Sequence, residues 1–447
     1  MFSIKRRGLS HIQIIALGYF LIVIFGTLLL KLPIATRSGA SAPFSTALFT
    51  SVSASCVTGL ILENTVSYWS LFGQLVILCL IQLGGLGYMT IATVFYRLII
   101  KKHGLREKVI MAESINTTRM NNFTSLIKKI FLGTVIIEFL GAALLSIRFI
   151  KLFGVVKGIY YGIFHSVSAF CNAGFDLLGD PIPFNSLSSF YNDPFIIIVI
   201  SILIILGGLG FLVWDDLTIK HFHFKKLNLH SKIVLTTSAA LLIIGTILFF
   251  ILECNNLFKE MPFGTKLLNS FFSAVTPRTA GFNTVDIASL TESSKLLTVA
   301  LMFIGGSSGS TAGGIKTTSL FIFFAFVFSS VRGRNSITAF KKSIKNDLLN
   351  KALLITIVNL SLALSGAFVI CSLEPISLAD AFIETFSAMS TVGLTASITP
   401  ALNIASQIIL MFLMFCGRVG SVSFATALFE QKHSAPVSYP NEAITVG

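Results

Sequence analysis

The segment Ser387-Ala-Met-Ser-Thr-Val-Gly393-Leu394 decides the fold, because three other segments of the chain share its pattern. Each begins with Ser-Ala and ends with a glycine followed by a large apolar residue. The other three are Ser53-Ala-Ser-Cys-Val-Thr-Gly59-Leu60, Ser168-Ala-Phe-Cys-Asn-Ala-Gly174-Phe175 and Ser273-Ala-Val-Thr-Pro-Arg-Thr-Ala-Gly281-Phe282. The four glycines are 115, 107 and 112 residues apart. This even spacing predicts four tandem repeats, 1–100, 101–220, 221–331 and 332–447.

The same order of apolar segments surrounds each glycine. A run long enough to cross a bilayer precedes it: Ile12–Leu32, Ile127–Phe149, Ile233–Leu252 and Leu353–Cys371. A short amphipathic stretch follows that is too short to span. A second long run comes after the glycine: Leu71–Ile100, Phe195–Leu217, Leu296–Val331 and Ile404–Phe429. Each repeat is therefore expected to form a helix, a half-helix, a loop and a helix. We expect an all-α membrane protein with eight spanning helices around a central pore.

Composition excludes the soluble alternatives. Of the 447 residues, 54% are hydrophobic and 12% are charged, which is about half the charge of a soluble protein. The net charge of +14 is concentrated, since 21 of the 33 Lys and Arg lie in Lys5–Arg7, Arg97–Lys129, Lys220–Lys232 and Arg332–Lys351. Such clusters between apolar runs indicate cytoplasmic loops and cytoplasmic termini rather than nucleic-acid binding. The six cysteines form no CxxC pair, so neither a disulfide framework nor a zinc site is predicted.

Four re-entrant loops predict a pore lined by backbone carbonyls. Non-helical backbone at membrane depth is tolerated only where it is buried in protein or lines a water-filled cavity. Four such loops can converge on one axis, where their carbonyls replace the hydration shell of an ion. The C-terminal ends of the half-helices then favour a monovalent cation. The candidate filter residues are Val57, Thr58, Gly59, Asn172, Ala173, Gly174, Thr279, Ala280, Gly281, Thr391, Val392 and Gly393.

These loops resemble those of the Trk/Ktr/HKT superfamily of potassium transporters over nearly the whole chain. The Thr279-Ala280-Gly281-Phe282 loop behind Arg278 and the Gly309–Thr318 stretch are most similar to KtrB, the membrane subunit type of bacterial Ktr systems. The resemblance implies K⁺ uptake across the cell membrane by a homodimer with one pore per subunit. It also implies a cytosolic ring of nucleotide-binding RCK subunits of the KtrA or KtrC kind. Each loop has one glycine where potassium channels have two, which predicts weaker selectivity.

A polar segment interrupts the second helix of the third repeat. Twelve of the fifteen residues from Gly305 to Ser319 are Gly, Ser or Thr, which disfavours a continuous helix. A phosphate-binding P-loop is excluded because Ile315 separates Gly314 from Lys316. The segment is interpreted as a flexible gate below the filter, with a closely packed kinked helix as the alternative. The candidate gate residues are Gly305, Gly306, Ser307, Ser308, Gly309, Ser310, Thr311, Ala312, Gly313, Gly314, Lys316 and Arg418.

Arg418 lies in the middle of the last apolar run, where an arginine is costly. Two interpretations stay open. In the first, which the resemblance implies, it faces the pore below the filter and opposes cation passage. In the second, it pairs with a buried carboxylate such as Glu138.

Potassium is the expected transported ion, with sodium as the second candidate and no organic cofactor. One alternative function is a Na⁺-coupled secondary transporter of the alternating-access type, which also uses repeats. An intramembrane enzyme is disfavoured, because the chain has neither HExxH nor GxSxG and His165 beside Ser166 is a weak pair.

Overall fold

The computed structural model describes residues 11–87, 123–179, 184–333 and 336–420. Several segments discussed above lie outside these ranges. They are Lys5–Arg7, most of Arg97–Lys129, the second part of Leu71–Ile100, and the end of Ile404–Phe429 with the C-terminal tail. The described residues form fifteen α-helices and one β-hairpin.

The helices follow the same order in each quarter of the chain. The first contains α1 (His11–Leu30), α2 (Phe44–Ser55), α3 (Thr65–Tyr68) and α4 (Leu71–Leu86). The second contains α5 (Phe123–Phe153), α6 (Val155–Phe170), α7 (Pro194–Leu209) and α8 (Phe211–Ile219). The third contains α9 (Leu229–Glu253), α10 (Phe263–Val275), α11 (Glu292–Phe303) and α12 (Thr317–Val331). The fourth contains α13 (Asn346–Leu373), α14 (Leu378–Ser390) and α15 (Ile404–Val419).

Four described helices are long and apolar enough to cross a membrane, and each is the first of its quarter. The spans are Gln13–Leu30, Lys128–Phe153, Leu229–Glu253 and Asn346–Leu373. The bent pair α7 and α8, at 92°, brings the total among the described residues to five. In the other three quarters the helix after the glycine loop is too short to count as a span (α4 and α15) or is interrupted (α11 and α12). The chain beyond α4 and α15 lies outside the described residues. The eight-span topology therefore stays a prediction.

Polar N-caps fix where the helix after each glycine loop begins, at α4, α7, α11 and α15. Ser70 accepts from Gly73 N–H, Asp193 from Phe195 N–H, Thr291 from Ser294 N–H and Asn403 from Ser406 N–H. A cap side chain satisfies a backbone donor that the first helical turn leaves unpaired. Each cap comes shortly after a glycine loop, so the chain turns from loop to helix at a defined residue.

Small residues let each short helix pack closely on the long helix before it. A Cβ on Gly26 would lie 2.5 Å from Ser51 Oγ, and one on Gly141 would lie 2.5 Å from Ser166 Oγ. The same two hydroxyls donate to backbone carbonyls of the long helices, to Val23 O at 2.7 Å and Glu138 O at 2.6 Å. Small residues and hydroxyl donors are the usual means of helix association in lipid.

A short β-hairpin is the one departure from the all-α expectation in the described chain. Strands β1 (Ile337–Ala339) and β2 (Lys342–Ile344) pair antiparallel between α12 and α13. The Phe340 ring, in the turn, stacks on the Phe321 ring with centroids 6.5 Å apart. Phe340 and Lys341 both have positive φ. The lysine-rich connection is thereby held against the N-terminal half of α12.

Candidate ion pathway

Each short helix ends directly at one of the four glycine loops, and a hydroxyl ties the loop back to the helix. Ser53 Oγ accepts from Gly59 N–H at 3.1 Å, and Ser387 Oγ accepts from Gly393 N–H at 3.0 Å. Ser168 Oγ instead donates to Phe175 O at 2.6 Å. In the third loop, which has two extra residues, Thr276 Oγ1 donates to Phe282 O. In three of the four loops the serine that opens the repeated pattern is therefore a tether, and in the third loop Thr276 replaces it; the sequence analysis missed this role.

The loops share one backbone conformation that aligns their carbonyls. The first residue of each triplet has positive φ: Val57 (57°), Asn172 (58°), Thr279 (71°) and Thr391 (52°). Each terminal glycine also has positive φ, between 71° and 95°, whereas the residue between them does not. Alternating left- and right-handed backbone conformations are the arrangement in which successive carbonyls of a segment point to the same side. Glycine adopts positive φ without strain, which explains its place in all four loops.

The four loops close a ring in chain order. A Cβ on Gly174 would lie 2.9 Å from Ala280 O, and one on Gly281 would lie 2.6 Å from Val392 O. A Cβ on Gly393 would collide with Thr58 O, and one on Gly59 would collide with Ala173 O. Every glycine thus faces the middle carbonyl of the next repeat, and the last faces the first. The structure brings all twelve candidate filter residues together around one axis.

The ring offers backbone oxygens and no charged ligands. The eight non-glycine residues of the triplets are at most 1% exposed. Among the described residues, no three His, Cys, Asp or Glu side chains lie close enough to hold a metal ion. Rings of carbonyl oxygens suit dehydrated monovalent cations.

The candidate gate segment leaves the helical path as a folded-back loop between α11 and α12. Ile304 and Ile315 form a bridge, and Gly306 N–H donates to Gly313 O at 3.3 Å, so the two ends of the loop lie side by side. Lys316 Nζ donates to Ala312 O at 2.8 Å and Gly313 O at 3.3 Å, within the loop itself. A kinked helix does not describe this segment, because thirteen residues separate the two helices.

This loop lies directly against the inner ends of two filter loops. Thr311 Oγ1 lies 3.2 Å from both Phe170 O and Asn172 Oδ1 of the second loop. A Cβ on Gly313 would lie 2.6 Å from Ser390 O at the base of the fourth loop. The second and fourth loops are on opposite sides of the ring. The candidate gate segment therefore contacts two loops that lie on opposite sides of the ring.

Backbone contacts with α7 and the α7–α8 bend hold the same loop in place. Ser307 N–H donates to Gly208 O at 3.0 Å, and Phe211 N–H donates to Gly309 O at 2.8 Å. The bend falls at Gly210, with φ 94° and ψ 140°. Gly87 and Gly420, which end α4 and α15, have similar angles. Helices α4, α7 and α15 thus each end at a glycine with positive φ.

Arg418 joins the gate loop to the first repeat through carbonyl oxygens. Its guanidinium donates to Thr311 O at 2.5 Å, to Gly85 O at 3.3 Å and to Gly84 O. Glu138 is not its partner, since that carboxylate accepts from Gln82 Nε2 at 3.1 Å and from the Cys171 thiol. Pairing with Glu138 was therefore the wrong alternative.

A cavity of about 100 Å³ lies beside the candidate gate loop. Its lining includes Gly85, Gly309, Ser310, Lys316 and Arg418. Two cationic side chains, Lys316 and Arg418, thus border this cavity.

His165 and Ser166 bond to other groups rather than to each other. His165 Nδ1 lies 2.7 Å from Tyr161 O, and its Nε2 accepts from Leu177 N–H at 3.2 Å. Ser166 donates to Glu138 O instead. Both side chains serve packing of the second short helix.

Known cation transport proteins match this chain over nearly its whole length. The family described as TrkH, cation transport protein, matches residues 10–436. The chain is 42% identical to the potassium/sodium uptake protein NtpJ of Enterococcus hirae, with 99% of this chain and 98% of that protein covered. It is 39% identical to the Ktr system potassium uptake protein B of Bacillus subtilis, with 97% and 96% covered. The crystal structure of the potassium transporter TrkH from Vibrio parahaemolyticus aligns with a TM-score of 0.74 at 15% identity, covering 96% of this chain and 86% of that one.

Proposed function

This chain belongs to the TrkH family of cation transport proteins, and we propose that it takes up K⁺ through the ring formed by its four glycine loops. It is a multi-pass membrane protein, and its relatives are uptake transporters rather than enzymes. The observation that carries the proposal is the closed ring, in which each glycine faces the middle carbonyl of the next loop. Selectivity then arises because carbonyl oxygens replace the water lost by the ion.

The filter also admits Na⁺, at a lower rate than K⁺. Each loop contributes one short triplet with one glycine, so few carbonyl layers contact a dehydrated ion. The name of the Enterococcus hirae relative includes both potassium and sodium. Discrimination between the two ions is therefore expected to be moderate.

The gate in this proposal is the loop between α11 and α12. It extends beneath the filter from the second to the fourth repeat, and Arg418 ties it to the first. Removal of the loop from the axis opens the pathway without a large helix movement. The positive charges of Arg418 and Lys316 add an electrostatic barrier at the same level.

Regulation is proposed to come from a cytosolic RCK ring, with the transporter itself a homodimer in the cell membrane. Two relatives are named as parts of a Ktr system. The lysine-rich hairpin with Lys341 and Lys342, and the basic stretch from Lys220 to Lys232, lie beside α8, α9 and α12. Positive charge on this face is consistent with a cytoplasmic orientation. The proposal places both termini and the ring on this side.

Ion flux into proteoliposomes tests the proposal. Purified protein should carry K⁺ down its gradient faster than Na⁺, and Gly393→Ser should reduce that preference. Gly393 has positive φ, which a residue with a Cβ adopts at a cost of about 1–2 kcal/mol, and the added Cβ would also collide with Thr58 O. Gly264→Ser is the matched control, because a Cβ there meets nothing within 4 Å.

Two outcomes would overturn the proposal. One is an unchanged K⁺/Na⁺ preference in folded Gly393→Ser protein. The other is K⁺ accumulation that depends strictly on an inward Na⁺ gradient, which would establish the coupled secondary transporter instead.

A further inference from the structure

Thr311 is the point where the gate loop and the filter touch through side chains. Its hydroxyl is 3.2 Å from both Phe170 O and Asn172 Oδ1, and a hydroxyl donates one hydrogen at a time. Its backbone accepts from Arg418 and donates to Gly207 O at 3.3 Å. The side chain is 1% exposed. Thr311 is therefore held from three directions and is shielded from bulk solvent.

Asn172 carries this contact into the filter. It is the first residue of the second triplet, with positive φ, and its side chain reaches the third filter loop. The amide Nδ2 lies 3.4 Å from both Arg278 O and Thr279 Oγ1. One end of the amide thus faces the gate loop while the other joins two neighbouring filter loops. The donor and acceptor ends match these partners in only one orientation.

Gly207 of α7 makes room for this junction. A Cβ on Gly207 would lie 2.6 Å from Asn172 Oδ1 and 2.9 Å from Thr311 Oγ1, and it would collide with Phe170 O. Three elements, α7, the gate loop and the second filter loop, therefore meet without space for an extra methyl group. A change in the position of the gate loop must break contacts at Asn172.

We propose that Thr311 is a positioning residue for ion selectivity, acting through the Asn172 amide. With the gate loop in place, the hydroxyl holds that amide so that it fastens the second filter loop to the third. When the loop withdraws, the amide loses its Thr311 partner and the two filter loops separate more easily. Selectivity between K⁺ and Na⁺ is then highest while the gate loop is near the filter. This inference rests on the proposed function.

The test separates selectivity from flux in proteoliposomes. Thr311→Val keeps the shape of the side chain and removes the hydroxyl, whereas Thr311→Ser keeps the hydroxyl. Thr311→Val should lower the K⁺/Na⁺ flux ratio by about twofold to tenfold, the effect of one buried hydrogen bond. Thr311→Ser should retain the wild-type ratio. A residue that only closes the gate would change both ion fluxes equally and leave their ratio unchanged.

Asn172→Gly provides the second variant, since glycine tolerates the positive φ and removes the amide. It should lower the flux ratio as Thr311→Val does, and the double variant should resemble the single ones because both act through one contact. An unchanged ratio in both folded single variants would overturn the inference. If the wild-type protein itself shows no preference for K⁺, the proposed function fails instead.

Discussion

Replacement of Arg418 by glutamine tests the gate most sharply. The guanidinium joins Thr311 O of the gate loop to Gly84 O and Gly85 O of α4. Glutamine is shorter and uncharged, and its one NH₂ group cannot join both sides. The connection across the pore is therefore lost along with the positive charge.

The size of the effect follows from the contact that disappears. A hydrogen bond from a charged donor contributes about 1.5–3 kcal/mol. Loss of one such bond from the closed position shifts the gate equilibrium toward the open state between about 10-fold and 150-fold. K⁺ flux into proteoliposomes should rise within that range, limited by the fraction of wild-type protein already open. Removal of the charge lowers the electrostatic barrier further.

Two control variants separate the contributions. Arg418→Lys keeps the charge but loses the planar fork that contacts several carbonyls, so its flux should lie between wild type and Arg418→Gln. Arg37→Gln, on an exposed loop after α1, should leave flux unchanged. A folded Arg418→Gln protein whose flux equals or falls below wild type would refute the gate assignment.

Three further predictions concern the loop, the tether and the partner. Deletion of Ser307–Gly313 should raise K⁺ flux, and combination with Arg418→Gln should add little, because both changes open one constriction; full additivity would place the two barriers apart. Ser387→Ala removes the acceptor of Gly393 N–H and should destabilise the protein by about 1 kcal/mol, which would lower its unfolding temperature in detergent. It should also lower the K⁺/Na⁺ flux ratio. Ser372→Ala, on the exposed face of α13, should change neither quantity. Reversal of charge at Lys341 and Lys342 should reduce co-purification of an RCK ring at low salt, and high salt should reduce recovery of the wild-type complex because it screens the same attraction. Recovery that is insensitive to both changes would mean that the docking surface lies elsewhere.

Much of the architecture could be predicted because the decisive signals repeat along the chain. The four glycines and the apolar runs around them indicate loops that meet on an axis, and the structure brings their triplets together. A break at Gly305–Ser319 was evident from composition alone. These features depend on local conformation and membrane depth, which sequence patterns report well.

Contacts between repeats could not be predicted in the same way. The guanidinium N–H groups of Arg418 can donate to either a carboxylate or a carbonyl oxygen. Nothing in the sequence shows that Gly84 O, rather than the Glu138 carboxylate, lies next to Arg418. Thr311 and Asn172 are 139 residues apart and meet only because α7 has a glycine between them. The Ser-Ala pattern showed that the serines recur, but their hydrogen bonds to glycine N–H groups depend on the loop geometry.

The central claim is that K⁺ binds among the four loops, and anomalous X-ray diffraction from crystals grown in Rb⁺ or Tl⁺ tests it most directly. The account predicts ion density on the axis of the ring, surrounded by the carbonyl oxygens of Thr58, Ala173, Ala280 and Val392. Replacement of the ion by Na⁺ should weaken or displace that density. An empty ring, with ion density found instead beside a buried carboxylate such as Glu138, would contradict the account.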